Sequence, residues 1–303
     1  MKLLNTEVRI ENSSKCNASC TVCARDTMTR PQVIMPDTHF KYLVDQVKTL
    51  GAKTISIFGF GEPFMDKNII EKVEYCEGND LETFITTNAS LLTPMISEKL
   101  IYAGLSHIRF SLHGLTMTDY NKIHKGLNYK KVMRNVFNFM VLNDQDDNPC
   151  KVSITCIGDD YWFNLKRFWD PLCDWLEIWK PHNWASSKQF RSISNQRKNT
   201  CGRPFNGPLQ INADGTVMVC CMDSNATMTV GNTYEETIED IMKGDKFNRI
   251  RRKHETGDLS ELICQSCDQL NIGDEKPLLY SSRDPDRSIN VSSTTKIQIG
   301  GQI

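Results

Sequence analysis

The sequence predicts an α/β fold, a partial (β/α)6 TIM-like barrel followed by a small β-hairpin-plus-helix unit. Three observations predict it. Six short segments rich in β-branched and aromatic residues lie within residues 1–185, and five of them are separated from the next by a segment of helical periodicity. Such alternation argues for parallel strands joined by right-handed helical crossovers, and six units suit an open barrel better than a closed eight-stranded one. The alternation then stops at a polar stretch, 186–200 (SSKQFRSISNQRKNT). Beyond it, 208–222 (PLQINADGTVMVCCM) places an Asp214–Gly215 turn between two apolar runs, a strong hairpin signal.

Residues 6–11 (TEVRIE) read as the first strand, leading into a cluster of cysteines. Residues 37–50 read as a helix with Asp37 as N-cap, Phe40, Leu43, Val44 and Val47 on one face, and Gly51 as its stop. There follow a strand over 53–59 (KTISIFG), a helix over 66–77 through Ile69, Ile70 and Val73, and a strand over 82–87 (ETFITT). A helix over 93–103 opens on Thr93–Pro94, a cap and first-turn pair, and ends at Gly104. Next come a strand over 107–112 (HIRFSL), a helix over 128–143 and a strand over 151–157 (KVSITCI). A helical stretch over 160–175, interrupted at Pro171, and a strand over 176–180 (LEIWK) complete the series. In such a barrel the reactive residues lie at the C-terminal strand ends, where 16–23, 59–63, 87–88, 111–113 and 180–184 fall. The expected division is a barrel over 1–185, a linker over 186–200, a second unit over 201–275 with a helix over 234–252, and a polar, loosely packed tail over 276–303.

Lysine and arginine number 36 against 37 acidic residues, so nothing suggests a polybasic nucleic-acid surface. No apolar run approaches the roughly 18 residues of a membrane span, and the first fifteen residues do not read as a secretory signal. A cytoplasmic chain acting on a small molecule, with no nucleic-acid or membrane partner, is expected. Twelve cysteines in such a chain point to metal or catalysis rather than disulfides. Cys76, Cys150, Cys156 and Cys173 are scattered and read as buried small hydrophobes. The others form two sets.

The first set is Cys16-x3-Cys20-x2-Cys23. Three thiolates on a four-iron cubane leave one iron open to chelate the amino and carboxylate groups of a small molecule, and iron–sulfur potentials can be low enough for difficult reductions. Here the sequence resembles the radical S-adenosylmethionine superfamily. KCNASCTVC matches its three-cysteine motif. GFGEP over 59–63 looks like its methionine-contacting segment, with Gly59, Gly61, Glu62 and Pro63 as cofactor-binding candidates. Glycines let the backbone approach a ligand, and Glu62 can pair with an ammonium. ITTNASLL over 85–92, with Thr87 and Asn88, and FSLHG over 110–114, with Ser111, look like the superfamily's third and fourth strand ends. The resemblance covers roughly 6–184 and implies reductive cleavage of S-adenosylmethionine to a 5′-deoxyadenosyl radical. One position departs: Val22 stands where the family usually has an aromatic residue near the adenine. A structural zinc site is the competing reading, but it wants four ligands and no fourth lies nearby in sequence.

The second set is Cys201, Cys220 or Cys221, Cys264 and Cys267. The region resembles the superfamily's short auxiliary-cluster extension, the twitch form of the SPASM domain, which implies a second, fully ligated 4Fe–4S cluster. Adjacent strand residues point to opposite faces, so only one of Cys220 and Cys221 should reach it, and the spacing from Gly215 favours Cys220. A four-cysteine zinc site is the alternative.

By resemblance, short twitch enzymes include dehydrogenases of amino-cyclitol alcohols. The expected reaction is therefore radical oxidation or epimerisation of a small polar substrate, such as a sugar, cyclitol or nucleotide-linked sugar, with an external electron donor such as flavodoxin or ferredoxin. Radical maturation of a ribosomally made peptide is the second reading; the fifteen residues before Cys16 leave little room for a peptide-binding domain. Activation of a partner enzyme and a non-catalytic iron–sulfur module are more remote. At the sixth strand's end Lys180, His182, Asn183 and Trp184 form a polar–aromatic group, with Lys180 and His182 as catalytic candidates. Arg109, Ser111 and His113 share one strand face. His39, His107, His124 and His254 are read as packing residues.

Overall fold

The computed structural model describes residues 2–147, 149–158, 162–272 and 277–283. In chain order the barrel elements are β1 Glu7–Ile10, α1 Asp37–Thr49, β2 Thr54–Ile57, α2 Ile69–Glu77, β3 Glu82–Thr87, α3 Pro94–Tyr102, β4 His107–Ser111, α4 Met117–Ile123, α5 Tyr129–Asn143, β5 Lys151–Ile157, α6 Trp162–Trp169 and β6 Trp175–Trp179. The second unit supplies α7 Arg203–Asn206, β7 Leu209–Ile211, β8 Thr216–Met218, β9 Thr229–Asn232, α8 Ile238–Lys243 and α9 Asp245–Thr256, and β10 Leu278–Ser281 follows.

Neighbours β1 to β6 are all parallel, as the alternation requires. Along each strand one parity is apolar and faces the helices. Val8, Ile10, Ile55, Ile57, Ile85, Ile108, Phe110, Ile154, Leu176 and Ile178 are nearly or wholly inaccessible there, packed against Phe40, Leu43 and Val44 of α1 and Val132, Val136 and Phe139 of α5. Each such side chain contributes about 1.5–3 kcal/mol by burial, which makes this interface the main support of the barrel. The other parity faces the barrel interior and is polar or aromatic: Glu7, Arg9, Phe58, Phe84, His107, Arg109, Ser111 and Glu177.

Local chemistry sets the boundaries. The Thr93 hydroxyl accepts from the Ile96 amide and caps α3, with Pro94 in its first turn, as expected. Asp37, expected as a cap, is instead the first residue of α1, where it binds Lys72. The helix expected over 234–252 is two helices, because Gly244 takes an extended conformation between α8 and α9.

The sheet also runs further than expected. Its order is β10-β6-β5-β4-β3-β2-β1-β7-β8-β9. The hairpin β7–β8 is not a detached unit: β7 lies parallel to β1, with Val8 opposite Leu209 and Ile10 opposite Ile211. At the other edge β10 pairs antiparallel with β6, so the region expected as a loose tail contributes a strand at 278–281. The rest of that tail, 276 and 284–303, lies outside the described residues. Among the described residues no helix is long and apolar enough to cross a membrane.

Candidate active site

The first cysteine loop leaves β1 through Glu11, Asn12, Ser13 and Ser14, all buried. Glu11 is the anchor. Its carboxylate takes two bonds from Arg30, Nη1 to Oε2 at 2.6 Å and Nη2 to Oε1 at 2.7 Å. It also accepts the Phe60 amide at 2.8 Å and the Ala213 amide at 3.1 Å. One side chain thus joins β1, the far end of the cysteine loop, the segment after β2 and the hairpin turn. Bidentate, charge-assisted bonds are the form in which a buried pair is satisfied.

The Gly59–Pro63 segment packs on the start of the same loop. A Cβ on Gly61 would stand 2.0 Å from the Ser13 carbonyl oxygen and 2.7 Å from that of Lys15, so only glycine permits the approach. The Glu62 amide then donates to the Lys15 carbonyl at 2.8 Å. The Glu62 carboxylate is buried and turned inward. It accepts the Thr87 hydroxyl at 2.6 Å, the Asn88 amide at 2.8 Å and the Phe64 amide at 3.3 Å. Burial pushes its pKa up to about 7 against the pull of these donors. The side chain read as an ammonium partner is therefore engaged in tying the loop after β2 to the end of β3. Asn88 Nδ2 in turn donates to Asn17 Oδ1, and Asn17 Nδ2 to Ser90 Oγ at 2.8 Å, so the cysteine loop is sewn to the β3 end as well.

Cys16, Cys20 and Cys23 are partly accessible, and none of the twelve cysteines forms a disulfide. Burial, then the neighbouring Cys23 and Cys16, push the Cys20 thiol up to about 12. Cys16 and Cys23 are raised chiefly by burial, with Cys16 adding to the effect on Cys23. The three sulfurs thus lie within electrostatic reach of one another. His124, read from sequence as a packing residue, faces the loop: its Nδ1 lies 3.3 Å from Cys20 Sγ. It stacks with Tyr120, at 4.2 Å, and with His113, at 4.8 Å, and burial draws its pKa down to about 4. No sequence pattern signals this pairing, since 104 positions separate the two residues.

Ser111 lies half-buried at the interior end of β4. Below it Arg109 Nε donates to Thr86 Oγ1 at 3.2 Å, and the guanidinium sits over the rings of Phe84 and Phe58 with Glu177 3.9 Å away. Past β6, the Lys180 amide donates to the Pro277 carbonyl at 2.7 Å. His182 packs against Trp184 at 4.2 Å, its Nδ1 accepts the Trp184 amide at 3.4 Å, and burial draws its pKa down to about 4. Asn183 is structural: its Oδ1 accepts the Phe190 and Arg191 amides, both at 2.8 Å.

Cys201, Cys220, Cys264 and Cys267 line one cavity with the apolar side chains of Ala185, Val219, Met222 and Met228. Cys221 does not line it; the Arg203 guanidinium donates to its sulfur at 3.1 Å. Arg197 caps the rim, donating to the carbonyls of Cys264 and Cys267 at 2.9 and 3.0 Å. Among the described residues no three His, Cys, Asp or Glu side chains close on a point as a single ion requires. A cubane asks for something different: soft thiolates placed around a volume, each meeting its own iron. Four cysteines around an apolar cavity and three on one glycine-backed loop fit that demand.

Comparison with known proteins agrees with this arrangement. Residues 10–144 match the family model described as the Radical SAM superfamily, and residues 201–268 match SPASM, an iron–sulfur cluster-binding domain. A probable GTP 3',8-cyclase of Pyrococcus horikoshii is 26% identical over 194 residues, 62% of this chain and 61% of that protein. The chain thus spans about three fifths of that relative's length. The S-adenosyl-L-methionine-dependent 2-deoxy-scyllo-inosamine dehydrogenase of Niallia circulans is 23% identical over 296 residues, 92% of this chain and 99% of that protein. Among solved structures, BtrN in complex with AdoMet and 2-DOIA superposes with a TM-score of 0.63 at 21% identity, covering 93% of this chain and all of that one. Streptococcus suis SuiB bound to its precursor peptide SuiA gives 0.68 at 18% identity, covering 88% and 70%. Identities this low show a shared fold, whereas the two family models match the segments that carry the two cysteine sets. The chain belongs to the radical S-adenosylmethionine superfamily and carries a SPASM-type iron–sulfur domain.

Proposed function

We propose that this enzyme holds two 4Fe–4S clusters and oxidises an alcohol carbon of a small polar substrate of the cyclitol or sugar class. The observation that carries the reading is the gathering of Cys201, Cys220, Cys264 and Cys267 around one cavity, a closed ligand set. It stands in a chain that aligns over nearly its whole length with an amino-cyclitol dehydrogenase. When bound, the clusters and S-adenosylmethionine supply a carbon radical that takes a hydrogen atom and an acceptor for the electron left behind.

The protein's part is placement. Cys16, Cys20 and Cys23 hold one cluster at the mouth of the barrel. Gly59 and Gly61 bring backbone to the bound methionine group, and Pro63 opens the short turn that fixes it. Because the Glu62 carboxylate is engaged by Thr87 and Asn88, the backbone carbonyls of this loop would be the acceptors for the ammonium. Ser111 serves as a donor to ribose or carboxylate, and Arg109 with Glu177 presents a polar wall to substrate hydroxyls. Oxidation of an alcohol to a ketone removes one hydrogen atom, one proton and one electron. Lys180, at the end of β6, is our candidate for the proton; His182, neutral and bonded to the Trp184 amide, positions Trp184. The electron for each turnover would come from an external one-electron donor of the flavodoxin or ferredoxin kind.

The test is anaerobic turnover with a panel of amino-cyclitols, cyclitols and nucleotide sugars. The expected result is 5′-deoxyadenosine formed above the uncoupled background with an equal amount of ketone. Background-level 5′-deoxyadenosine with every member of the panel, and stimulation by a peptide, would overturn it.

A further inference from the structure

We infer that His124 is a positioning residue for the first cluster, donating an N–H···S hydrogen bond to Cys20 and thereby raising the cluster's reduction potential. The inference rests on the reading of Cys20 as a ligand and goes beyond it.

The hydrogen-bond pattern fixes the donor. The backbone amide of His113 donates to His124 Nε2 at 3.2 Å, so that nitrogen is an acceptor and carries no proton. A neutral imidazole then bears its hydrogen on Nδ1, the atom 3.3 Å from Cys20 Sγ. The ring cannot easily turn away, because both Tyr120 and His113 stack on it. His113 is held in turn by the Ile157 amide, which donates to its Nδ1 at 3.1 Å.

The backbone brings the pair together. The Ser19 amide donates to the Lys125 carbonyl at 3.0 Å, and the Thr21 amide to the Ile123 carbonyl at 2.9 Å. Cys20 and His124 are the central residues of this two-rung ladder, so the loop and the end of α4 are registered residue against residue. A helix end held this way presents one side chain to one sulfur.

The consequence is electrostatic. Reduction adds negative charge to the cluster and its thiolates, and a donor to sulfur stabilises the charged form. Second-sphere donors of this kind orient a ligand and tune its centre.

The experiment is EPR-monitored potentiometry of the reconstituted full chain and its variants. His124→Phe keeps a flat ring against Tyr120 and His113 but has no donor. Its reduced-to-oxidised ratio at fixed poise should fall roughly tenfold, 59 mV for a one-electron couple. His124→Gln should recover part of the loss, whereas a purely structural role would lower thermal stability and leave the potential in place. An unchanged potential in His124→Phe protein with full iron would overturn the inference. Should that variant lose iron, unmodified protein carrying 15N-histidine decides: a histidine nitrogen coupling to the reduced cluster is expected, and its absence overturns the inference. The Cys16→Ala, Cys20→Ala, Cys23→Ala triple variant tests the underlying reading separately, because the low-potential signal must vanish there.

Discussion

The indole Nε1 of Trp184 donates to the backbone carbonyl of Val22 at 2.6 Å, across 162 positions of sequence. Trp184 lies 5.3 Å from the ring of Phe60, in the segment that backs the cysteine loop. It also packs on the apolar cluster of Ala185, Met222 and Cys267 at the second cysteine set. One side chain therefore touches the surroundings of both sets. Its backbone is left-handed, as are those of Ala185 and Ser186, with φ of +47°, +49° and +80°. Non-glycine residues held there cost on the order of 1–3 kcal/mol each and persist only where surrounding contacts over-determine them.

That relationship gives the first prediction. Trp184→Phe retains the packing and removes the N–H, leaving the Val22 carbonyl without its partner. The expected loss is about 1 kcal/mol of stability, with weaker S-adenosylmethionine binding and unchanged iron content. Denaturant unfolding and a binding titration check both parts; unchanged affinity would separate Trp184 from the cofactor site.

Glu11 gives the second. Glu11→Gln leaves Arg30 as a buried charge without its carboxylate, a change that costs about 3–5 kcal/mol when one partner of a buried pair is removed. Since Glu11 also receives the Phe60 and Ala213 amides, both the cysteine loop and the hairpin turn should loosen. Hydrogen exchange should speed up at Phe60 and Ala213 before it does so in α5. Gly59→Ala should act on the same centre, because its Cβ would fall 2.3 Å from Glu11 Oε1.

The third prediction is a pH dependence. Burial raises the folded-state pKa of Glu62 to about 7, above the ordinary 4.5. A carboxyl raised in this way stabilises the fold fully below its unfolded value, and that contribution is lost as pH rises through the folded value. Between about pH 4.5 and 7 it should fall by on the order of 3 kcal/mol. Comparing urea unfolding of the protein with Glu62→Gln across this range isolates it. Gln mimics the protonated carboxyl, so the two proteins should be closest near pH 4.5, and the protein should lose stability relative to the variant as pH rises, levelling off above 7; a difference independent of pH would show that Glu62 does not titrate there.

Much of this was legible because the signals are local. Hydrophobic period placed the six parallel strands, and β5 begins and ends where KVSITCI does. The cysteine spacings named both sets, and glycine chemistry explains Gly61. What could not be read depends on contacts distant in sequence. Glu11 appears as one acidic residue at a strand end, although it joins four segments. His124 shows no motif, because its meaning comes from a ladder between 19–21 and 123–125. β10 was hidden within a polar tail, since pairing with the exposed edge of β6 decides it rather than its own propensity. The inward turn of the Glu62 carboxylate likewise depends on donors from β3.

The last prediction separates two adjacent cysteines. Cys220 lines the apolar cavity with Cys201, Cys264 and Cys267, and burial pushes its thiol well up against the pull of Arg203. Burial is the largest influence on the Cys221 thiol and raises it, but the Arg203 and Arg9 guanidiniums and a backbone amide together outweigh it and hold the thiol below the ordinary range. Geometry separates the two: the Cys220 sulfur stands in the cavity beside Cys201, Cys264 and Cys267, whereas the Cys221 sulfur lies outside that lining and is taken up by Arg203. Cys220→Ser should therefore lose the auxiliary cluster. Iron should fall from about eight to about four per chain, since each cubane carries four, while S-adenosylmethionine cleavage continues. Cys221→Ser should keep the full iron content, and the lost partner of Arg203 should appear only as reduced stability. The two variants, reconstituted side by side and assayed for iron and 5′-deoxyadenosine, give opposite outcomes if Cys221 is the ligand instead.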